Sequence, residues 1–216
     1  IYNTGNGNIK VSGGNYKSKI RTSNPNYPTN ISWKGRDYGD IIWSDSPSKI
    51  VITGGALETV TEYSGTNHDC IFTANENSSL EMTGGSITNN AIDSKGIRMS
   101  LGGNIDLSGD SKIMSNGYSI SVGFSGVINI SDSVVVTGTI SGSCNAYITG
   151  GTIGTINTKN ATVTGGTISK ADKGDVINIS DNAKIGTGEE VAIRKYAKVN
   201  ITGGVISGGI LDDESN

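Results

Sequence analysis

The residues best suited to contact a ligand follow the central isoleucine of five short segments. Those segments are DIIWS (40–44), DCIFT (69–73), KGIRM (95–99), YSISV (118–122) and VAIRK (191–195), which place Trp43, Phe72, Arg98, Ser121 and Arg194 at equivalent positions. Aromatic rings stack on sugar rings, and guanidinium groups bind carboxylates. If the five isoleucines point inward, strand alternation sends these residues to one outer surface. We therefore predict a ligand-binding platform made of Trp43, Phe72, Arg98 and Arg194.

A second interpretation of the same surface remains open. Residues 14–40 carry Tyr16, Tyr27, Trp33 and Tyr38, and a long aromatic segment needs a surface to pack on. In that case the segment folds over Trp43 and Phe72 as a lid, and both rings are buried.

Other groups with possible chemistry have simpler structural explanations. His68 beside Asp69 suits acid–base catalysis, but a single histidine in a Gly-Thr-Asn loop is more simply solvated. Asp110, Asp132 and Asp181 occupy similar turn positions, where aspartate is favoured without any bound cation. We expect no catalytic residue, no metal ion and no cofactor.

The two cysteines, Cys70 and Cys144, are too few for a disulfide scaffold or a zinc site. Their places in the repeat described next are about three rungs, or about 14 Å, apart, beyond the roughly 7 Å limit for a disulfide. We predict two unpaired thiols.

A repeat of nine copies positions all these residues. Five copies share a Thr-Gly-Gly turn, three have a Ser-Asp or Ser-Gly turn, and one early copy is degenerate: KIVITGGAL (49–57), SLEMTGGSI (79–87), NAYITGGTI (145–153), NATVTGGTI (160–168), KVNITGGVI (198–206), IDLSGDSKI (105–113), INISDSVVV (128–136), INISDNAKI (177–185) and IKVSGGNYK (9–17). Apolar and polar residues alternate before each turn, which is typical of a strand with one buried face. The predicted inward pairs are Ile50/Ile52, Leu80/Met82, Ile105/Leu107, Ile128/Ile130, Ala146/Ile148, Ala161/Val163, Ile177/Ile179 and Val199/Ile201.

The interval between copies varies from 15 to 41 residues, which excludes propeller blades and leucine-rich repeats and suits a β-helix with loops of changing length. The chain is therefore predicted to be all-β, a single right-handed parallel β-helix of about nine rungs. Residues 1–47 form an N-terminal rung or cap with a long loop at 14–40, residues 48–209 the regular rungs, and residues 210–216 a C-terminal tail.

The repeat units resemble those of pectate-lyase-like right-handed β-helix proteins, especially the adhesin-like surface proteins of bacteria, over roughly residues 48–209. That superfamily also contains lyases, hydrolases and esterases, so the resemblance implies architecture better than activity. The polygalacturonase motif set is absent, no acidic cluster for calcium flanks Arg98 or Arg194, and Asp69-Cys70-Ile71-Phe72 is only loosely similar to the methylesterase motif.

The composition argues against two classes of partner, nucleic acids and the membrane interior. The net charge is −3 with scattered Lys and Arg, so a nucleic-acid partner is not expected, and no apolar run is long enough for membrane insertion. We predict a non-enzymatic extracellular module of a bacterial surface or secreted protein, an adhesin or stalk that contacts a glycan or a protein on a cell surface.

Two alternatives stay open. The first is a polysaccharide lyase or glycoside hydrolase, and the second is a structural filament or spike segment that self-associates end to end or side by side. A cleft on the aromatic face in which two carboxylates, or one carboxylate and Arg98, lie within about 10 Å would favour the enzyme.

Overall fold

The computed structural model describes residues 1–20, 40–61, 69–90, 95–188 and 191–211. Within these ranges every regular element is a β-strand, and every strand pairing is parallel. The strands are β1 Tyr2–Asn3, β2 Gly7–Val11, β3 Asn15–Ile20, β4 Ile42–Ser44, β5 Ser48–Ile52, β6 Ala56–Thr61, β7 Ile71–Thr73, β8 Ser79–Met82, β9 Ser86–Asn89, β10 Ile97–Met99, β11 Asn104–Leu107, β12 Lys112–Ser115, β13 Tyr118–Val122, β14 Val127–Ile130, β15 Val135–Ile148, β16 Thr152–Val163, β17 Thr167–Ala171, β18 Gly174–Ile179, β19 Lys184–Ile185, β20 Val191–Arg194, β21 Tyr196–Ile201, β22 Val205–Ile206 and β23 Gly209–Leu211.

The strands form three faces, and the chain visits them in the same order on every rung. The first face contains β1, β4, β7, β10, β13, the middle of β15 and of β16, the end of β17, β20 and β23. The second face contains β2, β5, β8, β11, β14, the ends of β15 and β16, β18 and β21. The third face contains β3, β6, β9, β12, the starts of β15, β16 and β17, β19 and β22. This curled parallel sheet is a β-helix, as the repeat predicted.

The interior is filled by aliphatic side chains from all three faces. The predicted isoleucines of the first face, Ile42, Ile71, Ile97, Ile120 and Ile193, are all fully buried, and the register adds Ile140, Ile156 and Ala171 to the same column. Seven of the eight predicted inward pairs of the second face are also buried. The last pair is the exception, because no rung covers it among the described residues: Val199 is only partly buried and 46% of Ile201 is exposed.

The two turn types differ in which residue takes the left-handed conformation. In the Thr-Gly-Gly copies it is the second glycine, as in Gly55 (φ 90°) and Gly85 (φ 87°). A Cβ on Gly85 would lie 2.7 Å from the Gly55 carbonyl oxygen one rung away, so the stacked turns need glycine for their spacing as well as for φ. In the Ser-Asp copies the positive φ falls one residue earlier, on Asp132 and Asp181. Aspartate tolerates the left-handed region better than most residues with a side chain, so these turns form without glycine at that position.

Two expected boundaries differ from the structure. The loop predicted at 14–40 contains a strand, because residues 15–20 form β3 and pair in register with β6. The C-terminal tail is predicted to start at residue 210. Ile210 and Leu211 instead belong to β23 and pair with β20. In both places the short degenerate strand is stabilised by backbone pairing with a regular neighbour, which the sequence of the segment alone does not reveal.

Both cysteines are free, as predicted, and both are buried. No helix in the described ranges is long and apolar enough to cross a membrane.

Candidate functional site

The outer side of the first face brings three of the four predicted platform residues together. Trp43, Phe72 and Arg98 stand on consecutive rungs in direct register. The Trp43 and Phe72 rings stack with their centroids 6.1 Å apart, and the Arg98 guanidinium carbon lies 5.9 Å from the Phe72 ring centroid. The predicted vertical order of these side chains is therefore confirmed.

The exposure of the aromatic pair corrects part of that prediction. Only 7% of Trp43 is exposed, whereas Phe72 is partly exposed. A ligand cannot stack on a buried indole, so Trp43 contributes packing against the Phe72 ring and not a binding surface. Most of the segment proposed as a lid, residues 21–39, lies outside the described residues. Tyr16 from its start is on β3 of the third face, paired with Leu57, and 40% exposed, so it is not part of a cover over Phe72.

Arg98 is held in place by a buried carboxylate. Its Nη1 lies 3.5 Å from Oδ2 of Asp69, whose side chain is almost completely buried. Oδ1 of Asp69 accepts a hydrogen bond from the Lys95 backbone N–H at 2.7 Å, and the Asp69 backbone N–H donates to Asp40 at 2.7 Å. A carboxylate bound on both oxygens orients the guanidinium, and the Arg98 side chain remains 31% exposed on the outer surface.

Arg194 does not belong to this group. The column from Ile97 to Ile193 passes through Ile120, Ile140, Ile156 and Ala171, so Arg194 is five rungs, or about 24 Å, from Arg98. There it donates two hydrogen bonds to Asp172, from Nε at 2.7 Å and from Nη2 at 2.8 Å. These bonds lower the pKa of Asp172 below its usual value of 3.8. The prediction of one platform containing Arg194 is therefore wrong, because the four rungs of Ile120, Ile140, Ile156 and Ala171 separate the two arginines.

The space between the two arginines contains an open groove of about 750 Å³. Its floor continues the outer column below Arg98 through Ser121, Ser141 and Asn157, which are registered partners on consecutive rungs. Ser121 was in the predicted column, but Ser141 and Asn157 were missed because their strands lie inside β15 and β16 without a YSISV-like segment. Spacing alone offered a signal: Ile140 and Ile156 precede them as Ile120 precedes Ser121.

One position in the lining of the groove requires glycine. Gly142 lines the groove with φ 136°, and a Cβ there would collide with the carbonyl oxygen of Val122 on the neighbouring rung. Any other residue would push the rungs apart at the floor, so glycine is required here.

Cationic side chains are concentrated at the two ends of the groove. Lys95 and Arg98 lie at one end, and the Lys95 Nζ is 5.8 Å from the ring centroid of Tyr118, which is 46% exposed. Lys159 and Lys173 lie at the other end with one carboxylate, Asp175, whose Oδ2 is 3.9 Å from the Lys159 Nζ. The described lining thus has four cationic groups and one carboxylate in a chain whose net charge is −3.

The other candidate groups have structural roles or cannot be placed. Asp132 Oδ2 accepts a hydrogen bond from the Gly109 backbone N–H at 2.9 Å, as expected of a turn residue. Burial raises the pKa of Cys70 to about 12 and that of Cys144 to about 11, so neither thiol is a nucleophile near neutral pH. His68 lies outside the described residues. Among the residues that the structure does describe, no three His, Cys, Asp or Glu side chains cluster as metal ligands would.

The fold and groove together define a parallel β-helix protein with an open, polar, cation-lined surface groove. Comparison with protein-family models, with curated proteins and with solved structures gives no match.

Proposed function

We propose that this chain is a non-enzymatic, extracellular β-helix module that binds a glycan chain in the groove of its first face. The observation that carries the proposal is the groove itself, which is open and has serine and asparagine side chains on consecutive rungs of its floor. Hydroxyl and amide groups are the donors and acceptors that recognise sugar hydroxyls. The exposed Tyr118 at its edge offers an apolar ring face next to these polar groups.

The shape of the site also favours a chain over a small molecule. Arg98, Ser121, Ser141 and Asn157 occupy four consecutive rungs, so the floor extends about 14 Å along the helix axis. A linear polymer aligned with the axis would contact every rung. A module that presents such a rigid surface, with a stable stacked core behind it, suits adhesion to a cell-surface glycan.

The test is a glycan array probed with the labelled chain and two tryptophan variants. Ser141→Trp fills the middle of the floor and is expected to abolish specific hits. Thr167→Trp places the same side chain at an exposed position on the third face and is expected to leave them unchanged. These variants are preferable to Trp43→Ala, which would disrupt a buried side chain. An array without hits, or equal signals from both variants, contradicts the proposal.

A second candidate, a polysaccharide lyase or hydrolase, is favoured by one observation. Arg98 and the Asp69 carboxylate lie 3.5 Å apart beside a groove, which meets the distance expected of an enzyme. Asp69 is 1% exposed and bound on both oxygens, however, so it cannot reach a substrate without breaking that network. The one carboxylate in the described lining of the groove is Asp175, at the far end from Arg98. Shortening of a polysaccharide on incubation, lost in Arg98→Ala, would establish the enzyme instead.

A further inference from the structure

We infer that the ligand of this groove is a polyanionic polysaccharide, a linear glycan that carries carboxylate or sulfate groups at intervals. The inference rests on the proposed glycan-binding function and specifies its substrate class. It depends on the charges of the lining, which the polar floor alone does not determine.

The charge of the groove is opposite in sign to that of the whole chain. Four of the 17 Lys and Arg residues line it, against one of the 20 Asp and Glu residues. Asp69 beneath Arg98 offsets part of that charge, but it is buried and leaves the guanidinium partly exposed. A concave surface with one sign of charge raises the local concentration of ligands of the opposite sign.

The two lysines at the Asp175 end of the groove are available to bind a ligand. The Lys159–Asp175 pair is 3.9 Å long, and both side chains are more than half exposed, at 55% and 62%. Exposed pairs of this length contribute little, so Lys159 can turn to a ligand at small cost. Lys173 is exposed on the adjoining rung and reaches the same end of the groove.

The distance between the two cationic ends favours a repeating polyanion over a single anion. Lys95 and Arg98 are separated from the rung of Lys159 by three rungs, about 14 Å, and from that of Lys173 by about 19 Å. No free carboxylate, sulfate or phosphate bridges that distance. A chain with regularly placed anionic groups binds both ends at once and places its uncharged hydroxyls over Ser121 and Ser141.

Other polyanions fit the groove less well. An acidic peptide cannot add a strand to this floor, which is the face of a fully paired sheet, so it would lack main-chain hydrogen bonds and depend on charge alone. Single-stranded nucleic acid requires several rings on which bases stack, whereas Tyr118 is the one aromatic residue of the described lining. Its ring already has Lys95 at 5.8 Å.

The experiment measures binding of the full chain to five probes: hyaluronan, heparin, dextran, polyglutamate and single-stranded DNA. The double variant Lys159→Glu, Lys173→Glu is compared with Lys112→Glu, Lys184→Glu, which makes the same charge change at exposed positions of the third face. We expect the groove variant to weaken hyaluronan or heparin binding at least about tenfold, because one exposed ion pair changes affinity about two- to fivefold and reversal adds repulsion. The third-face variant should change it less than about twofold.

The outcomes separate the inference of a polyanionic ligand from the proposed glycan-binding function. The inference is supported if hyaluronan or heparin binds, and if this binding weakens with added salt and in the groove variant but not in the third-face variant. Equal binding to dextran, with no effect of the groove variant, overturns the inference while the proposed glycan-binding function stands. Binding to none of the three polysaccharides overturns both, and tighter binding to polyglutamate or DNA assigns the groove to a different class of partner.

Discussion

Replacing Ile97 by alanine tests whether the isoleucine column fills a common interior. Ile97 has no exposed surface and lies in register between Ile71 and Ile120. The change removes three carbon atoms, worth about 0.8 kcal/mol each, and leaves a cavity that cannot collapse because backbone pairing fixes the rung spacing. We therefore expect the free energy of unfolding to fall by about 3–4 kcal/mol.

The matched control is Ile201→Ala, the same chemical change in the last pair of the second face. Because 46% of Ile201 is exposed and it has no covering rung in the described chain, we expect a loss of about 1 kcal/mol or less. Urea unfolding followed by circular dichroism measures both variants, and equal m-values show that the same transition is being compared. Losses of similar size at the two positions, or a loss below about 1 kcal/mol for Ile97→Ala, would refute a stacked aliphatic core.

Three further predictions concern the turns, the thiols and the Asp172–Arg194 pair. Gly85→Ala should lower the free energy of unfolding by about 2 kcal/mol or more, because φ is 87° and the new Cβ meets the Gly55 carbonyl oxygen. In the control Gly117→Ala, the new Cβ has no atom within 4 Å, so the loss in the same unfolding titration should be about 0.5 kcal/mol or less. Cys70 and Cys144 should react with a thiol reagent only at the rate of unfolding, since burial raises both pKa values, and rapid labelling of the folded chain would contradict their placement. The depressed pKa of Asp172 stabilises the fold above its usual value of 3.8, and this contribution is lost as the pH falls through the lower folded value. The stability difference between the native chain and Asp172→Asn should therefore be constant near neutral pH and disappear in acid, and a difference that persists in acid would exclude the ion pair as its cause.

The architecture was predictable from sequence because two regularities coincide. Alternation placed pairs such as Ile50 and Ile52 inward, and the recurring glycines marked the corners, so neighbouring copies had one consistent way to stack. The column of Phe72 and Arg98 followed from the same periodicity. Both features depend only on local spacing.

The groove could not be located in this way. Three rungs between Ile120 and Ile193 are contributed by β15, β16 and β17, whose long strands contain no separate motif for the first face. Ser141 and Asn157 were consequently missed, although the repeat copies between 105 and 185 already separate Arg98 from Arg194 by several rungs. The burial of Trp43 and the Asp69–Arg98 contact depend on tertiary packing, which strand alternation does not encode.

The placement of Ser121, Ser141 and Asn157 on consecutive rungs is the basis of the groove, and disulfide formation measures it directly. Registered neighbours in a parallel sheet are about 4.8 Å apart, whereas residues two rungs apart are separated by about 9.6 Å, beyond the roughly 7 Å limit for a disulfide. Under mild oxidation, Ser121→Cys with Ser141→Cys should form an intramolecular bond, and Ser121→Cys with Asn157→Cys should not. Bond formation in the second pair, or none in the first, would contradict the stacked floor.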